Sequence, residues 1–156
     1  MTMWPRVRYG MVLVGLCALA TFPTAQRSCT AKNRAREATN LLTVLADRIE
    51  DHVRSTGHMP PRAAPRTPIV PCCLRGGTCT SDATMWNANA WRDLEFWIEG
   101  TFRYTYEYRP DPSGRSAIVQ ASGDLNCDGK TSLYELKLRI SGNAVERTWS
   151  RKDPYE

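Results

Sequence analysis

The chain has 156 residues, 42% hydrophobic, 9% aromatic and 24% charged, which is enough for one ordinary globular domain. Its ten glycines and ten prolines follow no period, which excludes a collagen-like or proline-rich linker chain, and the aromatic content excludes wholesale disorder. The net charge of +5 sits at one end: residues 1–36 hold Arg6, Arg8, Arg27, Lys32, Arg34 and Arg36 and no acid, while the other 120 residues hold 15 basic and 16 acidic side chains. Such a distribution fits a segment beside a membrane and argues against a nucleic-acid partner, which wants basic residues clustered on the folded body.

Tyr9–Phe22 is an apolar run of 14 residues behind Arg6 and Arg8. A basic stretch before a run of this length is the pattern of an export signal, and the run is short of the roughly 20 residues that span hydrocarbon as a helix. Cleavage after Ala20 or Ala25 satisfies the small-residue rule. Residues 1–25 are therefore expected to be a signal or membrane anchor, and residues 26–156 one globular domain.

From Ala31 to Thr56 the apolar residues Ala31, Ala35, Ala38, Leu41, Leu42, Leu45, Ile49 and Val53 recur in steps of three and four. That spacing predicts one amphipathic helix. Gly57 stops it and Pro60–Pro61 prevents its resumption. Residues 57–85 read as a connector, with five prolines between Pro60 and Pro71. A short helix or turn over Asn87–Ile98 is expected to deliver Trp86, Trp91, Phe96 and Trp97 to a core.

Beyond this, residues 100–150 read as antiparallel strands. Thr101–Tyr108 alternates, with Phe102, Tyr104, Tyr106 and Tyr108 on one face. Ser116–Ala121, Tyr134–Ile140 and an edge strand over Val145–Trp149 follow, with turn residues between them. The fold class is α+β, with one long N-terminal helix packed on a C-terminal antiparallel sheet.

Six cysteines, three of them within Pro71–Cys79, point to disulfides and an oxidising destination rather than zinc, because no Cys-x-x-Cys pair is present. Vicinal Cys72 and Cys73 are expected to find separate partners, and Cys29 is the candidate free thiol.

One constellation carries ligand chemistry. In Asp124–Glu135, side chains that fit a twelve-residue calcium loop stand at positions 1, 3, 5, 9 and 12, namely Asp124, Asn126, Asp128, Ser132 and Glu135, with Gly129 at 6. The Lys130 carbonyl and a bidentate Glu135 would complete a Ca²⁺ shell, in a weak stabilising site of the extracellular kind. The same Asp and Asn side chains can instead hold a turn by accepting backbone N–H groups, and Cys127 can tie the loop covalently. No Gly-rich phosphate loop, serine elbow or cysteine–histidine pair is present, and His52 and His58 read as solvated. The sequence therefore predicts no enzyme.

Pro23–Ala38 (PTAQRSCTAKNRAREA) resembles the exit from the membrane helix of type IV pilins and pseudopilins. Asn40–Pro60, closing in Gly57-His58-Met59-Pro60, is similar to the amphipathic half of the pilin helix. Trp91–Phe96, the tyrosine-rich strand and Ala121–Gly129 (ASGDLNCDG) resemble the C-terminal half of pilin-like proteins. The chain departs from the pilin start, since Gly10 is followed by Met-Val-Leu-Val-Gly and Gly15 stands where a glutamate is expected. The resemblance implies an exported, non-catalytic minor subunit of a type IV pilus or type II secretion pseudopilus. Its partners would be other subunits and the inner membrane. One alternative is a freely secreted calcium-binding or adhesive module with a cleaved signal; another is an envelope enzyme or inhibitor with a pocket lined by Trp86, Trp91 and Trp97.

Overall fold

The computed structural model describes residues 32–154. The expectations for the apolar run, its cleavage sites, Cys29 and Ala31 at the start of the helix stripe lie outside these residues.

Helix α1 covers residues 32–56. Most of the predicted stripe is its buried face: Ala38, Leu42, Leu45 and Ile49 are fully buried, with Ala35 and Val53 nearly so; Leu41 is only half-buried, and Ala46, outside the predicted stripe, is fully buried. Burying a Leu or Ile side chain stabilises a fold by roughly 1.5–3 kcal/mol. Gly57 ends it at a φ of +77°, a left-handed conformation, with its N–H donating to the Val53 carbonyl at 2.8 Å.

The connector is not wholly irregular. Its residues Ala64–Thr67 form strand β1, which pairs antiparallel with β4 (Thr105–Pro110) through Ala64↔Tyr108 and Thr67↔Tyr106. Pro65 sits inside β1, which an edge strand tolerates because its outward N–H groups pair with nothing in the sheet. A 3₁₀ turn over Cys72–Arg75 follows, then β2 (Cys79–Thr80), which pairs with β3 (Thr101–Phe102). Helix α2 (Asn89–Asp93) lies between them.

β5 (Ser116–Gly123), β6 (Ser132–Ser141) and β7 (Ala144–Lys152) complete a five-stranded antiparallel sheet in the order β1-β4-β5-β6-β7. The alternation expected for residues 101–108 holds although the segment is split between β3 and β4: Phe102, Tyr104, Tyr106 and Tyr108 are all fully buried. Tyr134, Leu136, Leu138 and Ile140 of β6 bury the same way. These side chains and the α1 stripe belong to one hydrophobic cluster. Arg147 of β7 bonds Glu50 at 2.5 Å and Asp47 at 2.7 Å on α1. Glu37 on α1 accepts the Arg103 backbone N–H at 2.6 Å and faces the Tyr106 hydroxyl at 3.4 Å.

Three tyrosines make the fold sensitive to alkali. Burial first of all pushes the Tyr104, Tyr106 and Tyr108 hydroxyls well above the ordinary phenol range, and the Glu37 carboxylate adds to this at Tyr106. The phenols ionise more easily in the unfolded chain. Their contribution is therefore complete below about pH 10 and is lost as pH rises beyond it. Phenolate absorbance and helical ellipticity followed together above pH 10 are expected to show these three titrating only as the chain unfolds. Ionisation of all six tyrosines in a chain that stays folded would contradict this.

Candidate functional site

The loop between β5 and β6 is held from three directions. The ladder closes at Gly123↔Ser132, where the Ser132 hydroxyl donates to the Gly123 carbonyl at 2.7 Å. Gly123 has no room for a side chain, since a Cβ there would lie 2.9 Å from Cδ1 of Tyr104. Leu125 is buried, and its carbonyl accepts Arg34 Nη1 of α1 at 2.9 Å. Cys127 is disulfide-bonded to Cys73 of the 3₁₀ turn, and Cys72 to Cys79. The vicinal pair thus reaches two different partners, as expected. Two disulfides fit an oxidising environment, as in the periplasm or outside the cell.

Within the loop Asp124, Asn126 and Asp128 curl around the backbone. Asp124 accepts the N–H groups of Asp128 and Gly129 at 3.2 and 2.9 Å. Asn126 Oδ1 accepts the Asp128 N–H at 3.0 Å, and Asp128 Oδ1 accepts that of Lys130 at 2.9 Å. Gly129, at φ +90°, makes the expected sharp turn. The Lys130 amide is the first cause that holds the Asp128 carboxyl below the usual carboxylate range.

Ser132 and Glu135 stand apart from this ring. Both lie on β6, where residues three apart face opposite sides. Ser132 is buried with its hydroxyl on Gly123. Glu135 pairs with Gln120 across the ladder and lies 3.7 Å from Lys137. Among the described residues no group of three or more His, Cys, Asp or Glu is placed to hold a metal ion. The cation-binding atoms that the fold does gather are the oxygens of Asp124, Asn126 and Asp128, with the Lys130 carbonyl next in the chain.

A second concave site lies around α2. Trp86 and Trp91 meet edge to face with centroids 5.4 Å apart, and Trp86 meets Phe96 at 5.6 Å. These three rings are buried as expected, but Trp97 is 58% exposed. The cause is a period of two: Leu94, Phe96 and Ile98 turn inward, so Glu95 and Trp97 turn outward. That alternation is readable in Leu94–Ile98, and reading the segment as one aromatic cluster misses it. The indole of Trp97 stands over an open groove of about 570 Å³.

Helix α2 ends in a Schellman arrangement: the Phe96 N–H donates to the Trp91 carbonyl and the Glu95 N–H to that of Arg92, both at 3.0 Å. Glu95 takes the left-handed position at φ +48°, where glycine is favoured.

Comparison with protein-family models, curated proteins and solved structures finds nothing that matches this chain. Among the described residues no helix is long and apolar enough to cross a membrane.

Proposed function

We propose that the chain is a non-catalytic, pilin-like structural subunit of an envelope filament, either a type IV pilus or a type II secretion pseudopilus. The observation that carries this reading is the chain order: an apolar run, one long amphipathic helix, then an antiparallel sheet whose loop is braced by a disulfide. In such a subunit the helix would lie on the sheet, and two features support that for this helix. Its apolar stripe shares a buried cluster with the sheet tyrosines, and ion pairs at Glu37–Arg103 and Glu50–Arg147 support the same docking. Residues 1–25 anchor the subunit in the inner membrane before assembly, and residues 26–156 face outward and contact other subunits. Fractionation of the native envelope tests this. The full chain is expected in the inner membrane and in sheared filaments, and deletion of residues 9–22 is expected to remove it from both. Recovery of the full chain only as a soluble species would overturn the reading.

The Asp124–Lys130 loop supports a weak calcium site that stabilises the outward domain, which would also serve the alternative of a secreted calcium-binding or adhesive module. Asp124, Asn126, Asp128 and the Lys130 carbonyl would bind the ion, with water completing the shell. At a calcium concentration ten times the dissociation constant the stabilisation is about 1.4 kcal/mol, a rise in Tm of roughly 3–5 °C. Asp124→Ala with Asp128→Ala is expected to abolish that rise. Absence of any rise in the parent protein would sink the calcium site.

A further inference from the structure

We propose that the groove under Trp97 is a saccharide-binding site, in which a neutral hexose ring of an oligosaccharide lies against the exposed indole while its hydroxyls meet the polar rim. The site stands independently of the filament reading.

A pyranose ring is amphipathic: its C–H face is apolar, and its hydroxyls each donate and accept around the edge. The groove matches both parts. Trp97 offers a wide, flat, solvent-facing surface, while Phe96 and Ile98, which also line the groove, are themselves buried. Most exposed large apolar side chains need no explanation singly, but one lining a concavity whose size suits a small ligand does. The rim mixes hydrogen-bonding types. Glu95 and Glu99 supply acceptors, Asn87 and Arg92 supply donors, and all four line the groove. Ser81, also on the rim, accepts the Trp86 indole N–H at 2.9 Å, which leaves its own hydroxyl proton free to donate.

The charges favour a neutral ligand over an ion. Glu95 is paired with Arg48 at 3.5 Å. Asp82 is occupied by the Thr84 and Met85 N–H groups at 2.8 and 3.0 Å, with Arg75 nearby. Arg92 shares the same rim. Three acids and one base thus line the opening, and each acid already has a partner within the fold, Glu99 standing 3.5 Å from the Trp97 indole nitrogen. The excess of acids disfavours a polyanion and their engagement weakens the draw on a polycation, which leaves an uncharged ligand as the better match. The left-handed backbone of Glu95 points the same way. A glycine would relieve that conformation, so the carboxylate at the groove edge is kept at a conformational cost.

The test is titration of the full-length chain with cellotetraose and with chitotetraose, read by tryptophan fluorescence and by the indole N–H resonances. Decaproline and octalysine serve as contrasting probes. At about 10 mM, a concentration that detects weak sites, at least one oligosaccharide is expected to shift the Trp97 resonance. Trp97→Ala is expected to weaken that binding at least about tenfold without changing the far-ultraviolet spectrum, because the side chain is exposed. Glu95→Gly is expected to weaken binding several-fold with the melting temperature unchanged or raised, a split that a purely structural role for Glu95 would not give. No shift with either oligosaccharide, binding that Trp97→Ala leaves intact, or a response only to decaproline or octalysine would each overturn the proposal.

Discussion

Replacing Cys73 and Cys127 together by serine is expected to cost about 4 kcal/mol, the loop-closure entropy of a crosslink spanning 54 residues. Against a total stability of roughly 5–15 kcal/mol, this is the largest single covalent contribution in the described fold. The crosslink joins two segments that have few other ties: the 3₁₀ turn at Cys72–Arg75 and the loop that follows β5. Cutting it frees the loop from that side, leaving the buried Leu125 and the Arg34 bond to hold it. The Cys72–Cys79 bridge spans only 7 residues, so the corresponding double serine variant is expected to cost about 2 kcal/mol. Urea unfolding of the two variants under identical conditions checks the order. Equal losses, or a larger loss at Cys72–Cys79, would mean that loop closure is not the source of the stabilisation.

Trp91→Ala is expected to cost about 3–5 kcal/mol, as large-to-small changes of buried aromatics do. Trp91 is fully buried within the ring cluster, with Trp86 and Phe96 each at 5.4 Å. Its indole N–H donates to the buried Thr67 hydroxyl of β1 at 2.8 Å. That bond ties α2 to the strand at the sheet edge, so the loss is expected to reach β1 as well as the core. Amide exchange in Ala64–Thr67 should accelerate in the variant. Trp97→Ala supplies the contrast: the side chain is 58% exposed, and its removal is expected to leave the urea midpoint within experimental error. A destabilisation of Trp91→Ala no greater than that of Trp97→Ala would contradict the packing described here.

The contrast between these two tryptophans also shows what a sequence can and cannot disclose. The helix was legible because its apolar steps admit one buried face, and the tyrosine strand because alternation over eight residues admits one register of faces. The edge strand β1 was not legible. Pro65 and Pro68 interrupt its pattern, and it exists because Ala64 and Thr67 find partners on β4, residues some forty positions away. The covalent pairing was half legible: adjacency disfavoured a Cys72–Cys73 bond, but only the tertiary fold brings Cys127 to Cys73.

The loop at Asp124 marks the same boundary within the site. Residue types at positions 1, 3, 5 and 6 correctly placed a tight turn with inward oxygens and a left-handed glycine. Positions 9 and 12 fall on a strand rather than a helix. A helix would bring Ser132 and Glu135 to one face, whereas the strand sends them to opposite faces. The motif alone carries no information about which of these follows the loop; the alternating apolar and polar residues of β6 do.

As the proposed filament subunit, the chain would be stored in the membrane through its apolar run. The most direct measurement is the N-terminal sequence and intact mass of the protein recovered from its native envelope. The account predicts a chain that retains Met11–Phe22, cut after Gly10 or left whole. A chain beginning at Thr21 or Gln26 would contradict it and make the protein a freely secreted domain.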